Sequence, residues 1–283
     1  MDETDEIIRL CVRALVAQMA DVPGVEMALT RDCVLGLTGD ASADFNRLTL
    51  GMGPETEAFL VSSVARARAR GLPLIAVAPP RVAEALGSLA ASLGLTPVGT
   101  SPLMVLRAGT PVTPSRPVRI TRALGPEMVA IAGDLAAAAF DAPRDAIARY
   151  IDVCVTETAG VETWIAWDDE APMSAVTVTP TGNTAGISLM ATPPDRRRRG
   201  WGRALLTQVM ADYRGRGVAR FHLGATDAGL ALYESLGFVT LASLSAWLLE
   251  GPADGDHRRK REAASGEALA VRPEEDHDRK SAR

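Results

Sequence analysis

The sequence predicts an α/β fold, a mixed sheet with helices on both faces. Three observations carry that expectation. Short runs rich in Val, Ile, Leu and Thr alternate with longer segments whose apolar residues recur at helical spacing. In the second half, three strands joined by tight turns make an antiparallel meander and are followed by helix, strand, helix, strand. The first hundred or so residues repeat that grammar in a reduced form.

Residues 4–19 place Ile7, Ile8, Cys11, Leu15 and Met19 on one helical face. Short strands are expected over residues 26–30, 33–37 and 46–50. Residues 55–70 read as a helix, with Phe59, Leu60, Val64 and Ala67 inward and Arg66, Arg68 and Arg70 at the end where cations suit the helix dipole. Gly71 stops it. A buried strand over 72–78, a helix over 81–93 and a last strand over 102–106 complete the region. Pro111, Pro114 and Pro117 then disfavour helix, so residues 109–117 read as an extended linker.

In the second region, residues 126–140 and 144–158 read as helices, the first nearly all Ala on one side and so suited to close packing. Strands over 161–167, 173–179 and 185–192 are joined by Asp168-Asp169-Glu170 and Thr181-Gly182-Asn183, both turn chemistry. A helix over 202–214, a strand over 218–225, a helix over 228–236 and a strand over 239–249 follow. Residues 251–283 carry eight acids and eight bases with almost no large apolar side chains, and read as a disordered tail. The expected division is therefore an N-terminal domain 1–108, the linker 109–117, a second domain 118–250 and the tail.

Composition excludes much chemistry. The only lysines are Lys260 and Lys280, so residues 1–250 hold no lysine for a Schiff base, a pyridoxal-phosphate site or a P-loop. Cys11, Cys33 and Cys154 show no spacing suited to tetrahedral zinc, and no metal is expected. The acidic opening Met1-Asp2-Glu3 and the lack of an apolar run of about 18 residues point to a soluble cytoplasmic chain. The net charge of −5 belongs to residues 1–250, because the tail is balanced; that suits a cationic small substrate rather than a nucleic acid or a membrane.

The informative stretch runs from Met190-Ala191-Thr192 through Arg196-Arg197-Arg198-Arg199 to Gly200-Trp201-Gly202-Arg203. A strand enters a loop of arginines and glycines and then a helix. Unpaired amides at a helix N-terminus carry partial positive charge, so such a turn is ready to hold phosphate oxygens. The four consecutive arginines add countercharge in planar forks that suit a pyrophosphate.

Arg197-x-x-Gly200-x-Gly202 after a strand, followed by Leu232-Tyr233-Glu234-Ser235-Leu236-Gly237-Phe238, resembles the two signature motifs of the GNAT superfamily of acyl-CoA N-acyltransferases. The resemblance covers residues 118–249. By layout, residues 2–106 resemble a degenerate second copy, as in tandem members of that superfamily, with only Gly51-Met52-Gly53-Pro54 where a phosphate loop is sought. The resemblance implies a GNAT fold in two tandem copies and one acyl-CoA site, in the C-terminal copy.

It further implies that acyl-CoA lies where two parallel strands part, with Met190, Ala191 and Thr192 pairing with the pantetheine arm and an amide near Met190 polarising the thioester carbonyl. Arg197, Arg198, Arg199, Gly200, Trp201, Gly202 and Arg203 would hold the pyrophosphate. Tyr233 would protonate the leaving thiolate. Thr226 stands where many relatives have an Asn that contacts pantetheine. The expected strand over 185–192 has no acid to serve as base; His222 is the named candidate, with Asp227, Glu157 and Asp168 behind it, and Tyr150 and Trp164 could line an acceptor pocket.

The function expected on these grounds is transfer of acetyl from acetyl-CoA to the primary amine of a small molecule by direct attack in a ternary complex, by a monomer or homodimer. The alternatives are a tRNA-dependent aminoacyltransferase, a GNAT-like acyl-CoA decarboxylase and a non-catalytic CoA-binding module.

Overall fold

Asp2 opens the first helix, α1 (Glu3–Met19), by accepting the Asp5 amide at 2.8 Å, and Glu3, Asp5 and Glu6 place negative charge in the first turn. The computed structural model describes residues 2–20, 22–151 and 160–251, with backbone only for residues 149 and 150. Then come β1 (Glu26–Leu29), β2 (Val34–Leu37), β3 (Asn46–Thr49), α2 (Thr56–Ala69), β4 (Leu74–Ala78), α3 (Pro80–Ser92) and β5 (Thr96–Leu106). The second region supplies β6 (Arg119–Arg122), α4 (Gly125–Phe140), α5 (Arg144–Ile151), β7 (Glu162–Asp168), β8 (Ala171–Thr181), β9 (Thr184–Ala191), α6 (Trp201–Gly215), β10 (Arg220–Gly224), α7 (Asp227–Glu234) and β11 (Val239–Leu249).

All the strands join one 11-stranded sheet in the order β1-β2-β3-β4-β11-β5-β10-β9-β8-β7-β6. The order contains an exchange. β5, which closes the first region, pairs with β10 of the second, and β11, which closes the second, pairs with β4 of the first. β5 and β11 pair antiparallel from Val239↔Val105 to Leu248↔Thr96, with Leu244 opposite Ser101 near the middle. Around that pair the layout repeats: β3 runs parallel to β4 on one side, and β9 runs parallel to β10 on the other.

Strand alternation sends side chains to two faces. On one face α2 and α3 bury Leu35, Leu48, Leu60, Leu74 and Trp247, while α6 and α7 bury Met104, Val176, Ile187, Phe221 and Phe238. On the other, α4 and α5 cover Ile165, Trp167 and Ala191, and α1 covers the central pair through Ile7, Ile8, Leu103, Val105 and Leu244. Ile7 and Ile8 are fully enclosed, each contributing about 2 kcal/mol of apolar burial. α1 touches β2 and β11 of one side and β8 and β9 of the other, so it ties the two regions together.

Most expected elements appear within a residue or two of their places. β5 starts at Thr96 rather than at 102: Thr96-Pro97-Val98-Gly99-Thr100 is exposed and poor in strand formers, and it is extended because β11 pairs with it. β6 was not anticipated, being only Arg119-Ile120-Thr121-Arg122; it forms on the free edge of β7, where Arg119 also lies 4.7 Å from the centre of the Trp167 ring. The meander turns match their residues, with Asp169 and Gly182 both at positive φ. The expected helix beyond residue 151, Cys154, Glu157 and the tail from residue 252 lie outside the described residues.

Because β10 takes its second neighbour from β5, residues 109–283 expressed alone should not give a folded product, whereas co-expression with residues 1–108 should restore one. Circular dichroism and gel filtration of the two preparations check this; a monomeric, cooperatively melting fragment 109–283 would contradict it.

Candidate functional site

The parallel strands β9 and β10 pair at Arg220↔Thr184, Phe221↔Ala185 and His222↔Gly186, and no further. Beyond that point β9 continues to Ala191 against β8, while β10 turns with β5 to Gly224. The register of β9 against β8 is irregular between Ala191 and Ser188, and Leu189 adopts φ +45. A bulge there bends the strand. Its consequence is a slot whose β9 wall, Ile187 to Met190, presents backbone that β10 does not pair.

The slot leads to the arginine loop. Pro194–Arg196 form one 3-10 turn, Gly200 takes φ +80, and α6 starts at Trp201 with no side-chain cap on its first amides. Those amides are open to a ligand. Gly202 lies against the end of β9, where a Cβ would be 3.0 Å from Met190 Cε and 3.1 Å from Thr192 Oγ1. Met190, Thr192, Gly200 and Gly202 are thus gathered at one end of the slot. Ala191 is fully buried, its carbonyl accepting from Ser174 Oγ at 2.7 Å.

The four arginines divide into two roles that their sequence does not distinguish. Arg197 donates to the carbonyl of Thr192 at 2.9 Å and to that of Ala139, in the last turn of α4, at 2.7 Å. Two of its nitrogens thus fasten the loop to β9 and α4. Arg196 likewise holds the Pro172 carbonyl. Arg198 and Arg199 are exposed, and among the described residues their side chains have no hydrogen bond or ion pair. Arg203 donates to Ser235 Oγ, and Trp201, the first residue of α6, is buried.

Tyr233 sits in the same cluster as Trp201, Leu223 and Phe238, with its ring edge-on to Phe238 at 5.7 Å. A phenol is protonated at neutral pH, and burial pushes this one further up, to about 12. Its hydroxyl bonds to no described residue, which leaves the proton available. Leu232 of the same helix reaches within 4.0 Å of a Cβ at Gly202, so α7 lies beside the first turn of α6. Thr226 is the exposed N-cap residue of α7, and its side chain makes no capping bond.

His222 is not where a base acting with Tyr233 should be. Its neighbours Phe221 and Leu223 point toward Tyr233, so strand alternation turns His222 to the other face. There it is 3% exposed, with Nδ1 3.4 Å from Cys11 Sγ of α1. Burial, followed by the charge of Arg220, lowers the imidazole to about 4, and burial raises the Cys11 thiol to about 12. The pair is therefore neutral at pH 7, and a histidine so depressed is a poor base there. Asp227 and Asp168 are exposed at the start of α7 and the end of β7; Trp164 packs with the α6 cluster, and the Tyr150 side chain is not described.

The first region holds the matching loop in closed form. β3 and β4 stay paired to their ends, with the Leu50 amide donating to Val77 at 2.9 Å. The Asp32 carboxylate, ion-paired with Arg9, fills the glycine turn: a Cβ at Gly53 would lie 2.7 Å from its Oδ2. A buried carboxylate occupies the space that an anionic ligand would need. Sequence reasoning missed this plug, since Asp32 lies on the β1–β2 turn far from the glycines. It also missed Arg116, whose guanidinium is 4.1 Å from the centre of the Trp201 ring.

Comparison with known proteins agrees with this fold. Residues 159–240 match the family model described as an acetyltransferase (GNAT) domain. A GCN5-related N-acetyltransferase from Kribbella flavida is 16% identical at a TM-score of 0.65, covering 89% of this chain and 98% of that one. A GCN5-related N-acetyltransferase from Sphaerobacter thermophilus is 17% identical at 0.57, covering 86% and 91%. A tandem GNAT protein from the clavulanic acid biosynthesis pathway is 15% identical, also at 0.57, covering 86% and 89%. At these identities the likeness is one of fold, and it extends over both regions. No curated protein matches the chain. Among the described residues no cluster could hold a metal ion, and no helix is long and apolar enough to cross a membrane.

The buried His222 makes a pH prediction. An unfolded chain protonates this histidine near pH 6.5 and the folded one only near 4, so in that window the unfolded state binds more protons and stability falls as pH falls. The contribution is about 3 kcal/mol at most. Urea midpoints measured at pH 7 and pH 4.5 should show the loss, and His222→Asn should flatten it; an unchanged slope in the variant would assign the acid sensitivity elsewhere.

Proposed function

We propose that this protein transfers an acetyl group from acetyl-CoA to the primary amine of a small molecule, by direct attack in a ternary complex. The observation that carries the reading is the parting of β9 from β10 after Gly186 and His222, directly ahead of a helix whose first amides are free. The acetyltransferase (GNAT) match over residues 159–240 assigns acyltransferase chemistry to the half that contains the slot.

The residues present suit acetyl-CoA. The free amides at Gly200 to Arg203 and the unpaired guanidinium groups of Arg198 and Arg199 fit its pyrophosphate. The open backbone of Ile187 to Met190 can pair with the amides of its pantetheine arm, as a further strand would. Bound there, acetyl-CoA supplies an acyl group activated as a thioester. Tyr233 contributes a proton held at Oη, which a phenol keeps at pH 7 and which burial makes harder still to lose to water. Arg197 and Arg196 act on the site by fixing the loop, through carbonyls of α4, β9 and β8.

The acceptor is cationic on this reading, in keeping with the net charge of −5. The thiols Cys11 and Cys33, both free, accord with a reducing cytoplasm. No described side chain in the slot is an evident base, so an amine that loses its proton to water before attack is the simplest substrate.

Two outcomes are expected. A CoA-release screen across aminoglycosides, amino acids, polyamines and peptide N-termini should yield a substrate, and Tyr233→Phe should then lower kcat by about 100-fold while CoA affinity stays within about threefold. Unaltered turnover in that variant would remove Tyr233 from the chemistry, and binding without turnover for any amine would favour a non-catalytic CoA module. Calorimetric titration should also give one acetyl-CoA per chain, because Asp32 fills the first region's loop; two equivalent sites would contradict that.

A further inference from the structure

Arg116 belongs to the segment between the two regions and to none of the sequence motifs, yet it reaches the candidate donor site. Its guanidinium covers the face of Trp201, the first residue of α6, and donates to the Arg199 carbonyl at 3.5 Å. Arg199 and Arg203 flank the same helix start. Among the described residues none of these three forms an ion pair, whereas Arg9, Arg107, Arg122, Arg216 and Arg220 each hold a carboxylate. Three cations beside the positive end of a helix repel one another and the dipole. Such a cluster is stabilised by an anion carrying more charge than the helix amides alone would take.

The same segment closes a groove of about 190 Å³ against α6 and the end of α7. Val112 and Leu236 give it an apolar wall over the buried Met210, and Thr113, Ser115, Arg203 and Ser235 give it a larger share of polar groups. Sites for whole ligands run to roughly 300–1,000 Å³, so this groove takes one end of a molecule. A flat ring with apolar faces and hydrogen-bonding edges suits it. Arg203 connects the two features, because it lines the groove and lies three residues beyond Gly200 on the first turn of α6.

We propose that the linker is part of the donor site: the groove between residues 111–115 and α6 seats the adenine of CoA, and Arg116 with Arg203 binds its 3′-phosphate. This rests on the acetyl-CoA reading of the slot, and it adds a selectivity that the slot alone cannot provide, namely discrimination between CoA and 3′-dephospho-CoA. The planar fork of Arg116 is held by the Trp201 ring and pre-organised for phosphate oxygens.

The test is calorimetric binding of three probes, CoA, 3′-dephospho-CoA and 4′-phosphopantetheine, to the full chain and to two variants at exposed positions. The unaltered protein should bind CoA about tenfold more tightly than 3′-dephospho-CoA. Arg116→Ala should lose about that factor for CoA and stay within about twofold for 3′-dephospho-CoA. Thr113→Trp, which fills the groove, should weaken both nucleotides and leave 4′-phosphopantetheine unchanged. Equal affinity of the unaltered protein for CoA and 3′-dephospho-CoA would overturn the proposal. So would an equal loss of both in Arg116→Ala, which would make Arg116 a prop for Trp201. Binding of none of the three probes would sink the acetyl-CoA reading itself, and this proposal with it.

Discussion

The antiparallel pairing of β5 with β11 is the constraint on which the rest depends. Each of these long strands closes one region of the chain and then gives its outer edge to a strand of the other. For the slot the effect is specific. β10 is short, and a strand that parts from its neighbour normally leaves its backbone polar groups to solvent. Here β5 pairs with β10 at Phe221 to Gly224 on the far side, so β9 can bend away while β10 stays in the sheet. The slot therefore belongs to the second region by sequence but is supported by a strand from the first.

α1 reinforces this from the opposite face. Glu6 pairs with Arg220 at the start of β10, Cys11 meets His222 at the last paired position, and Gln18 donates to Thr179 and Ser188 at 2.9 and 3.0 Å. These contacts run along the strands on either side of the parting. Glu6 keeps its carboxyl below the usual range through the hydrogen bond from Arg220, so the tie at the base of β10 is ionic across the neutral range. In the first region the Asp32 carboxylate fills the glycine turn, while α1 and β5 support the strands of the second.

Much of the layout was legible in the residues. The meander announced itself through Asp168-Asp169-Glu170 and Thr181-Gly182-Asn183, and the loop before α6 through Gly200 and Gly202, because turns and close approaches restrict which residues can serve. What was not legible depended on partners distant in sequence. Thr96 to Ser101 carries Pro, Gly and Ser and becomes strand only by pairing with residues some 150 positions away. The roles of Arg196 and Arg197 as struts and of Arg198 and Arg199 as open cations follow from carbonyls of α4, β8 and β9 that no local pattern reveals. His222 shows the same limit from the other direction: its place beside the cleft could be read from the strand, but the face it occupies follows from the core against which Phe221 and Leu223 pack.

The central claim is that one donor site exists, built where β9 leaves β10, and that its counterpart in the first region is filled. Amide hydrogen exchange with and without acetyl-CoA tests it most directly, since it reads backbone groups by position. The expected result is slowed exchange at residues 187–192 and 198–203 with no change at 49–56. Protection at residues 49–56, or none at 187–203 under saturating acetyl-CoA, would contradict it.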